Sequence, residues 1–324
     1  MLSRTAEHLF WMARHMERAE NTARLLDVTY RMRLLPASMN QPVEPWAQAW
    51  AVPLITTGMA SDYYASYDAL TAENVLEFLV CHPNNPSSIV NCLRGARENA
   101  RTVRGAITSE MWESLNSTWM EFGQVGTEVL DAEHLGAFFE TIKQRSHMFR
   151  GVTVGTALRD ESFFFTRLGT FFERADNTAR ILDVKYHILL PSPQDIGGAQ
   201  DYYQWGSLLR SVSAFEAYRK IYRDTFSSRR VAELLVLRRD MPRSLRACAA
   251  EIYNMLQVLA GTTGKEAERQ AGELNARLQF ARIDDIIEGG LHEYLLDFLE
   301  RIGELGTEIH RSFFASTDTV ARLA

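Results

Sequence analysis

Apolar residues recur at spacings of three and four along most of this chain, the period of a helix that buries one face, and they seldom alternate as a half-buried strand requires. The pattern predicts a first helix that starts with Ser3 as N-cap and runs to Leu35, where Pro36 stops it. At 1.5 Å per residue such a helix is about 50 Å long. Shorter helices are predicted near 46–70, 72–81, 86–106, 108–120 and 131–150. After a second long helix that ends before Pro191, others follow near 200–225, 228–238, 242–260, 265–281 and 284–314. The breaks between them, HPNNPSS, LLPSPQDIGG and AGTTGKE, are short, and β-branched runs between Gly or Asn turns are missing. The expected class is all-α.

The two long helices carry the same text. Glu17–Val28 (ERAENTARLLDV) and Glu173–Val184 (ERADNTARILDV) are identical at ten of twelve positions, at an offset of 156. The register extends outward: Trp50 falls on Trp205, Tyr63 and Tyr67 on Tyr218 and Tyr222, Pro86 and Cys92 on Pro242 and Cys248. The expected architecture is a pseudo-twofold helical bundle, one domain over 1–324 made of two closely packed repeats of about 1–156 and 157–324.

At 100° per residue, Glu17, Glu20, Asn21, Arg24 and Asp27 fall within about 80° of one another, and the opposite face holds Ala19, Thr22, Ala23 and Leu26. The second copy repeats both faces, with Glu173, Asp176, Asn177, Arg180 and Asp183 as its polar set. A solvated face would accept Lys, Gln or a reversed pair, so holding one string twice calls for more than solubility. Glu17 and Arg18 point about 100° apart and cannot satisfy each other within their helix. Two uses follow, compatible with each other. Glu17 pairs with Arg174 and Glu173 with Arg18 in a buried network, or the charged faces line a cleft.

A formal charge of −6 and a pI near 5.8 argue against general nucleic-acid binding, which needs surplus clustered Lys and Arg. Cys81, Cys92 and Cys248 lie in apolar contexts and read as reduced core residues. The first twenty residues are charged every few positions, and no uncharged apolar stretch nears the ~20 residues that span a bilayer, so the expectation is a cytoplasmic chain without a membrane segment. No Glu-x-x-His occurs, and GTTGKE lacks the spacing of a phosphate loop, so neither a metal nor a cofactor is expected. His8 and His15 share a helix face, but the second copy has Phe164 and Phe171 there, which points to an aromatic core role.

Candidate anion-binding groups gather in the first repeat. Arg94, Arg97, Arg101 and Arg104 form a stripe whose second-copy counterparts are Ala250, Tyr253, Gln257 and Ala260. Arg4, Trp11 and Arg14 likewise become Asp160, Arg167 and Thr170. The asymmetry predicts a pocket between the first long helix and the 86–106 helix, in which Arg14 and Arg101 hold a carboxylate or phosphate without bearing on stability. Arg4, Arg18, Arg24, Arg97, Arg104, Arg174 and Arg180 complete the anion-binding candidates, and Glu20, Asp27, Asp176 and Asp183 are assigned to a structural network.

The LSR opening at Leu2–Arg4, Trp11, Arg14, ERAENTARLLD from Glu17, NPSSIVNCLRGARENARTVRGAITSEMWESLN over Asn85–Asn116 and ERADNTARILD from Glu173 together resemble the alpha-E proteins, a bacterial all-helical family named for its ER motif. The resemblance implies a cytoplasmic member of an amide-bond-forming system, typically encoded beside or fused to a circularly permuted ATP-grasp protein and often a transglutaminase-like peptidase. It implies no catalytic residue. The functional expectation is an accessory component that presents a peptide or carboxylate to an ATP-grasp-type ligase. One alternative is an enzyme in its own right, with Glu17 or Glu173 as general base and Arg residues clamping a carboxylate. The other is a helical scaffold without a ligand.

Overall fold

A computed structural model describes residues 1–33, 49–126, 130–188 and 199–315. The predicted helix ends at Pro36 and Pro191, and the predicted start at 46, lie outside them. The described elements are α1 (Ser3–Arg33), α2 (Ala51–Thr56), α3 (Ala60–Tyr64), α4 (Ala72–Val80), α5 (Ile89–Thr102), α6 (Ser109–Phe122), α7 (Ala132–Thr156) and α8 (Glu161–Ile188). They continue with α9 (Ala199–Ser211), α10 (Phe215–Tyr222), α11 (Ser228–Ala232), α12 (Leu245–Leu259), α13 (Lys265–Phe280), α14 (Ile283–Glu288) and α15 (Leu291–Ile309). No strand occurs among the described residues, as the spacing of apolar positions required.

Hydroxyl residues start several of these helices by accepting a hydrogen bond from an otherwise unpaired first-turn N–H. Thr71 caps α4, Ser88 caps α5, Thr108 caps α6 and Ser244 caps α12. Asp160 does the same for α8, accepting from the backbone N–H of Ser162 at 2.9 Å and of Phe163 at 3.2 Å. Where a single helix is predicted near 46–70, the chain breaks between α2 and α3 at Gly58, whose φ of +71° is open to glycine and costly for other residues. Gly290, at φ +95°, separates α14 from α15 within the predicted 284–314 helix.

The long helices α1 and α8 lie together at the centre. α1 packs along α5 and α8 and against α7, while α8 packs along α12 and α15. Leu9, Met12, Met16 and Leu26 of α1 and Leu168 and Leu182 of α8 are fully buried in a cluster that extends to Trp205, Tyr218 and Phe139. Tyr63 and Tyr218, matched in the repeat register, are both buried and both donate their hydroxyl to a backbone carbonyl a few residues on, Ala69 at 2.8 Å and Thr225 at 3.1 Å. None of the described helices is long and apolar enough to cross a membrane.

Candidate functional site

Because α1 and α8 pass side by side, each ER motif meets the other. Arg174 donates from Nε and Nη2 to Oε1 and Oε2 of Glu17, at 2.9 and 3.1 Å. Reciprocally, Arg18 donates from Nε and Nη2 to Oε1 and Oε2 of Glu173, at 2.6 and 2.9 Å. Both contacts are bidentate forks, the strongest form of this interaction. Their carboxylates are almost sealed from water, with Glu17 1% and Glu173 5% exposed. The crosswise pairing expected from the divergent directions of Glu17 and Arg18 is therefore present.

Further cations close around each carboxylate, and here the two motifs differ. At Glu17, Arg150 of α7 donates to Oε2 at 2.7 Å and also to Glu20 and Ser146, while Arg243 sits 3.0 Å from Oε1 and donates to Glu20 at 2.7 Å and Asn21 at 2.9 Å. Arg24 adds a bond to Glu20 at 2.8 Å and meets the His147 ring at 2.9 Å. At Glu173 the additional cation is Arg14, bonded to Oε2 at 2.8 Å, and Asp176 is held by Arg180 at 2.8 Å. Further along, Asp27 takes Arg31 and Lys143, and Asp183 takes the His292 ring. Glu20, Asp27, Asp176 and Asp183 thus all stand in the ion-pair structure.

The electrostatics follow from this crowding. Burial pushes the Glu173 carboxyl up, but the guanidiniums of Arg18 and Arg14 outweigh it and hold it at about 2. Burial acts the same way on Glu17 and is overcome by Arg174, Arg243 and Arg150; Glu20 is held well below the ordinary carboxylate range by Arg243, His147 and Arg150. His15, stacked on Trp11 and pressed against Gly95, is drawn down to about 4 by burial and by Arg18 and Arg14, against the pull of Glu173. Folded-state values below the unfolded ones mean that stability is complete at high pH and is lost as pH falls. The His15 contribution should go between about 6.5 and 4, and that of Glu173, on the order of 3 kcal/mol, between about 4.5 and 2. Urea midpoints across pH 7.5 to 3 should decline from pH 6.5 and steepen below 4.5. In His15→Gln the upper branch should flatten, and a wild-type profile level down to pH 4.5 would refute this.

The predicted arginine pocket takes a different form. Arg14 is not a free pocket residue: besides its bond to Glu173, its guanidinium lies over the rings of Trp11, Phe172 and Phe10 at 4.7, 5.2 and 5.5 Å. The expectation that Arg14 could be removed without loss of stability is therefore corrected, since its removal uncovers a buried carboxylate. Arg101 is exposed and paired with Glu98 at 2.6 Å. Arg97 bonds Asn116 at 3.2 Å as well as Glu98, and Arg97 and Arg104 both lie over Trp112, at 5.7 and 4.9 Å. Arg4 is exposed, whereas Arg18, Arg24, Arg174 and Arg180 all hold carboxylates. A cleft of 380 Å³ lies where the turn before α6 meets the start of α8, lined by Ile107, Thr108, Leu158, Ser162 and Phe163 among others, and by none of these arginines. His8, given a core role by its counterpart Phe164, instead meets Asn99 Oδ1 at 2.7 Å and is half-buried.

Arg150, Arg243 and His147 were missed by reading the sequence. Arg243 had a signal: it follows Pro242 in MPRS, where the first copy reads NPSS, so a guanidinium replaces the small Ser87 in otherwise matching text. Arg150 had none, because nothing in its own helix pattern points to Glu17.

The chain matches, over residues 1–314, a family model described as a predicted alpha-helical domain with a conserved ER motif. An uncharacterized protein of Mycobacterium bovis and two of Mycobacterium tuberculosis are each 26% identical to it over 92% of its length. That stretch is 35% of each relative, so the chain spans about a third of the proteins it resembles. No solved structure matches it. With nearly all of its length matched, the chain, whose two Glu–Arg pairs grip each other at the centre of the fold, belongs to the alpha-E family.

Proposed function

We propose that this chain is an accessory component of an amide-bond-forming system, one that binds an ATP-grasp-type ligase and helps present a peptide or carboxylate to it. The observation that carries this reading is the state of the ER carboxylates. A general base works best with a pKa near the working pH, and neither the Glu173 carboxyl, held at about 2 by Arg18 and Arg14, nor that of Glu17, held below its ordinary value by Arg174, Arg243 and Arg150, is placed to take up a proton. Glu17 and Glu173, the acids an independent enzyme would use, are thereby committed to structure. What faces outward is Arg101, 65% exposed, beside Arg104, which suits contact with an acidic partner surface. The partnership with a ligase, and with a transglutaminase-like peptidase of the same system, rests on the family resemblance. An ATP-consuming partner would put the assembly in the cytoplasm. The like contacts around Glu17 and Glu173 support treating the chain as one domain of two repeats, about 1–156 and 157–324.

Affinity capture tests the reading. The tagged chain should retain the ATP-grasp-type ligase of its own system, and ATP-dependent amide formation should need both proteins. Arg101→Glu with Arg104→Glu should weaken capture about tenfold while the melting temperature stays within a few degrees, because exposed arginines add little to folding. Turnover by this chain alone would overturn the accessory role.

A further inference from the structure

The two ER centres are built alike and filled unequally. Around both, the same local structure recurs: Ser88 and Ser244 cap α5 and α12, and the thiols of Cys92 and Cys248 face the carbonyls of Pro86 and Pro242 at 3.9 and 3.8 Å. Each thiol is pushed up to about 12 by burial and lies within the field of the adjacent Glu–Arg fork. In this register Arg243 falls on Ser87.

Arg243 fills a place bounded by three acceptors. Its guanidinium lies 3.0 Å from Glu17 Oε1, 2.7 Å from Glu20 Oε1 and 2.9 Å from Asn21 Oδ1, and the residue is 5% exposed. The counterparts of those acceptors are Glu173, Asp176 and Asn177. Among the described residues Glu173 Oε1 receives Arg18 Nε, where Glu17 Oε1 has both Arg174 and Arg243. Asp176 is paired among the described residues with Arg180, and it is one methylene shorter than Glu20, which leaves more room. Asn177 has the same buried, unpartnered amide nitrogen as Asn21 but no Arg243 at its oxygen. Charge tells the same story. Glu17 and Glu20 are served by Arg24, Arg150, Arg174 and Arg243, whereas Glu173 and Asp176 are served by Arg14, Arg18 and Arg180. Among the described residues the second pair of carboxylates thus holds one guanidinium fewer than the first. The edge of this second centre is less sealed as well, since Ser87, Asp176 and Asn177 are half-buried where Arg243, Glu20 and Asn21 are buried.

We infer that this edge, between Ser87 at the start of α5 and the Glu173–Asn177 turn of α8, is a binding site for a guanidinium group supplied from outside the chain, an arginine side chain of a peptide or partner protein. The first centre shows what the acceptors hold when the group is built in. The planar fork of arginine meets two carboxylates and an amide oxygen at once, which a compact ammonium does less well. This inference does not depend on the proposed ligase partnership, and it keeps its meaning if that partnership fails.

Calorimetric titration with N-acetyl-arginine methylamide tests it, with N-acetyl-glutamate methylamide and inorganic phosphate as contrasting probes. The arginine probe should bind saturably and more weakly as salt is raised, and the two anions should not bind. Ser87→Arg should abolish binding by filling the place from within. Asp176→Asn should weaken it about tenfold. If Ser87→Arg does not fold, the isosteric Asp176→Asn still decides. Absence of arginine binding, equal binding in wild type and Asp176→Asn, or binding of phosphate in place of arginine would each overturn the inference.

Discussion

Glu17→Ala is expected to lower stability by on the order of 3–5 kcal/mol, the cost of leaving buried charges without their counterion. The carboxylate of Glu17 is the meeting point of Arg174, Arg150 and Arg243, and two of these, Arg174 at 8% and Arg243 at 5% exposed, cannot turn to water for replacement hydrogen bonds. A melting temperature lower by roughly 10 °C should result. The matching change Glu173→Ala should cost less, because its partners Arg14 and Arg18 keep 16% and 24% of their side chains in contact with solvent. The ranking separates a buried network from a general loss of packing, which would make the two equal. Replacing Arg174 and Arg243 by Met in the Glu17→Ala background should recover much of the loss, since a buried ion pair exchanged for apolar groups is often near neutral. Urea melts showing Glu17→Ala unchanged, or milder than Glu173→Ala, would contradict this account.

Gly169→Ala should be comparably damaging, though by helix propensity it ought to help. In a helix interior alanine is favoured over glycine by about 1 kcal/mol. At Gly169, however, a Cβ would lie 2.1 Å from the backbone oxygen of Phe10 and 3.0 Å from its carbonyl carbon. The obstacle is the main chain of α1, which cannot swing aside as a side chain can, so the two long helices must separate. Gly169 stands one turn before Glu173, and separation there would pull apart the forks between the ER motifs. A loss of about 3 kcal/mol or more is expected. Gly151→Ala is the control: the residue is exposed on α7, a Cβ there meets nothing within 4 Å, and a gain of about 0.5–1 kcal/mol should follow. Equal effects at the two glycines in thermal melts would rule out close approach of α1 and α8 as the cause.

These two positions mark how far the site could be read in advance. Glu17 announced itself by repetition. Two segments holding the same acid–arginine pair, each pair split by the 100° step of its helix, leave every member in need of a partner, and the other copy is the one source of matching partners. Gly169 carried no such signal, because a lone glycine in a helical pattern means one thing under solvent and another under a crossing backbone. Arg14 misled for a related reason. Lacking a counterpart in the second copy, it suggested a free recognition group, whereas Arg14 bonds Oε2 of Glu173 as Arg150 bonds Oε2 of Glu17, a local substitute for that one distant cation.

From its sequence alone, this chain is all-helical, carries two long helices and offers crossed Glu–Arg pairing between them as one of two uses of the repeated motif. Helical periodicity, hydroxyl caps and the repeated motif are local or self-referential signals, and each states its own physical requirement. Tertiary structure alone decided which distant cations complete the forks and where the helices touch. Arg150 and Arg243 reach the acids of α1 across 133 and 223 residues of chain, and contacts at that range leave no period in the sequence. The inequality of the two centres belongs to both levels. Ser87 and Arg243 stand in the sequence for anyone to compare, but only the fold brings Arg243 against Glu17 and shows that Glu173 and Asp176 hold one guanidinium fewer among the described residues.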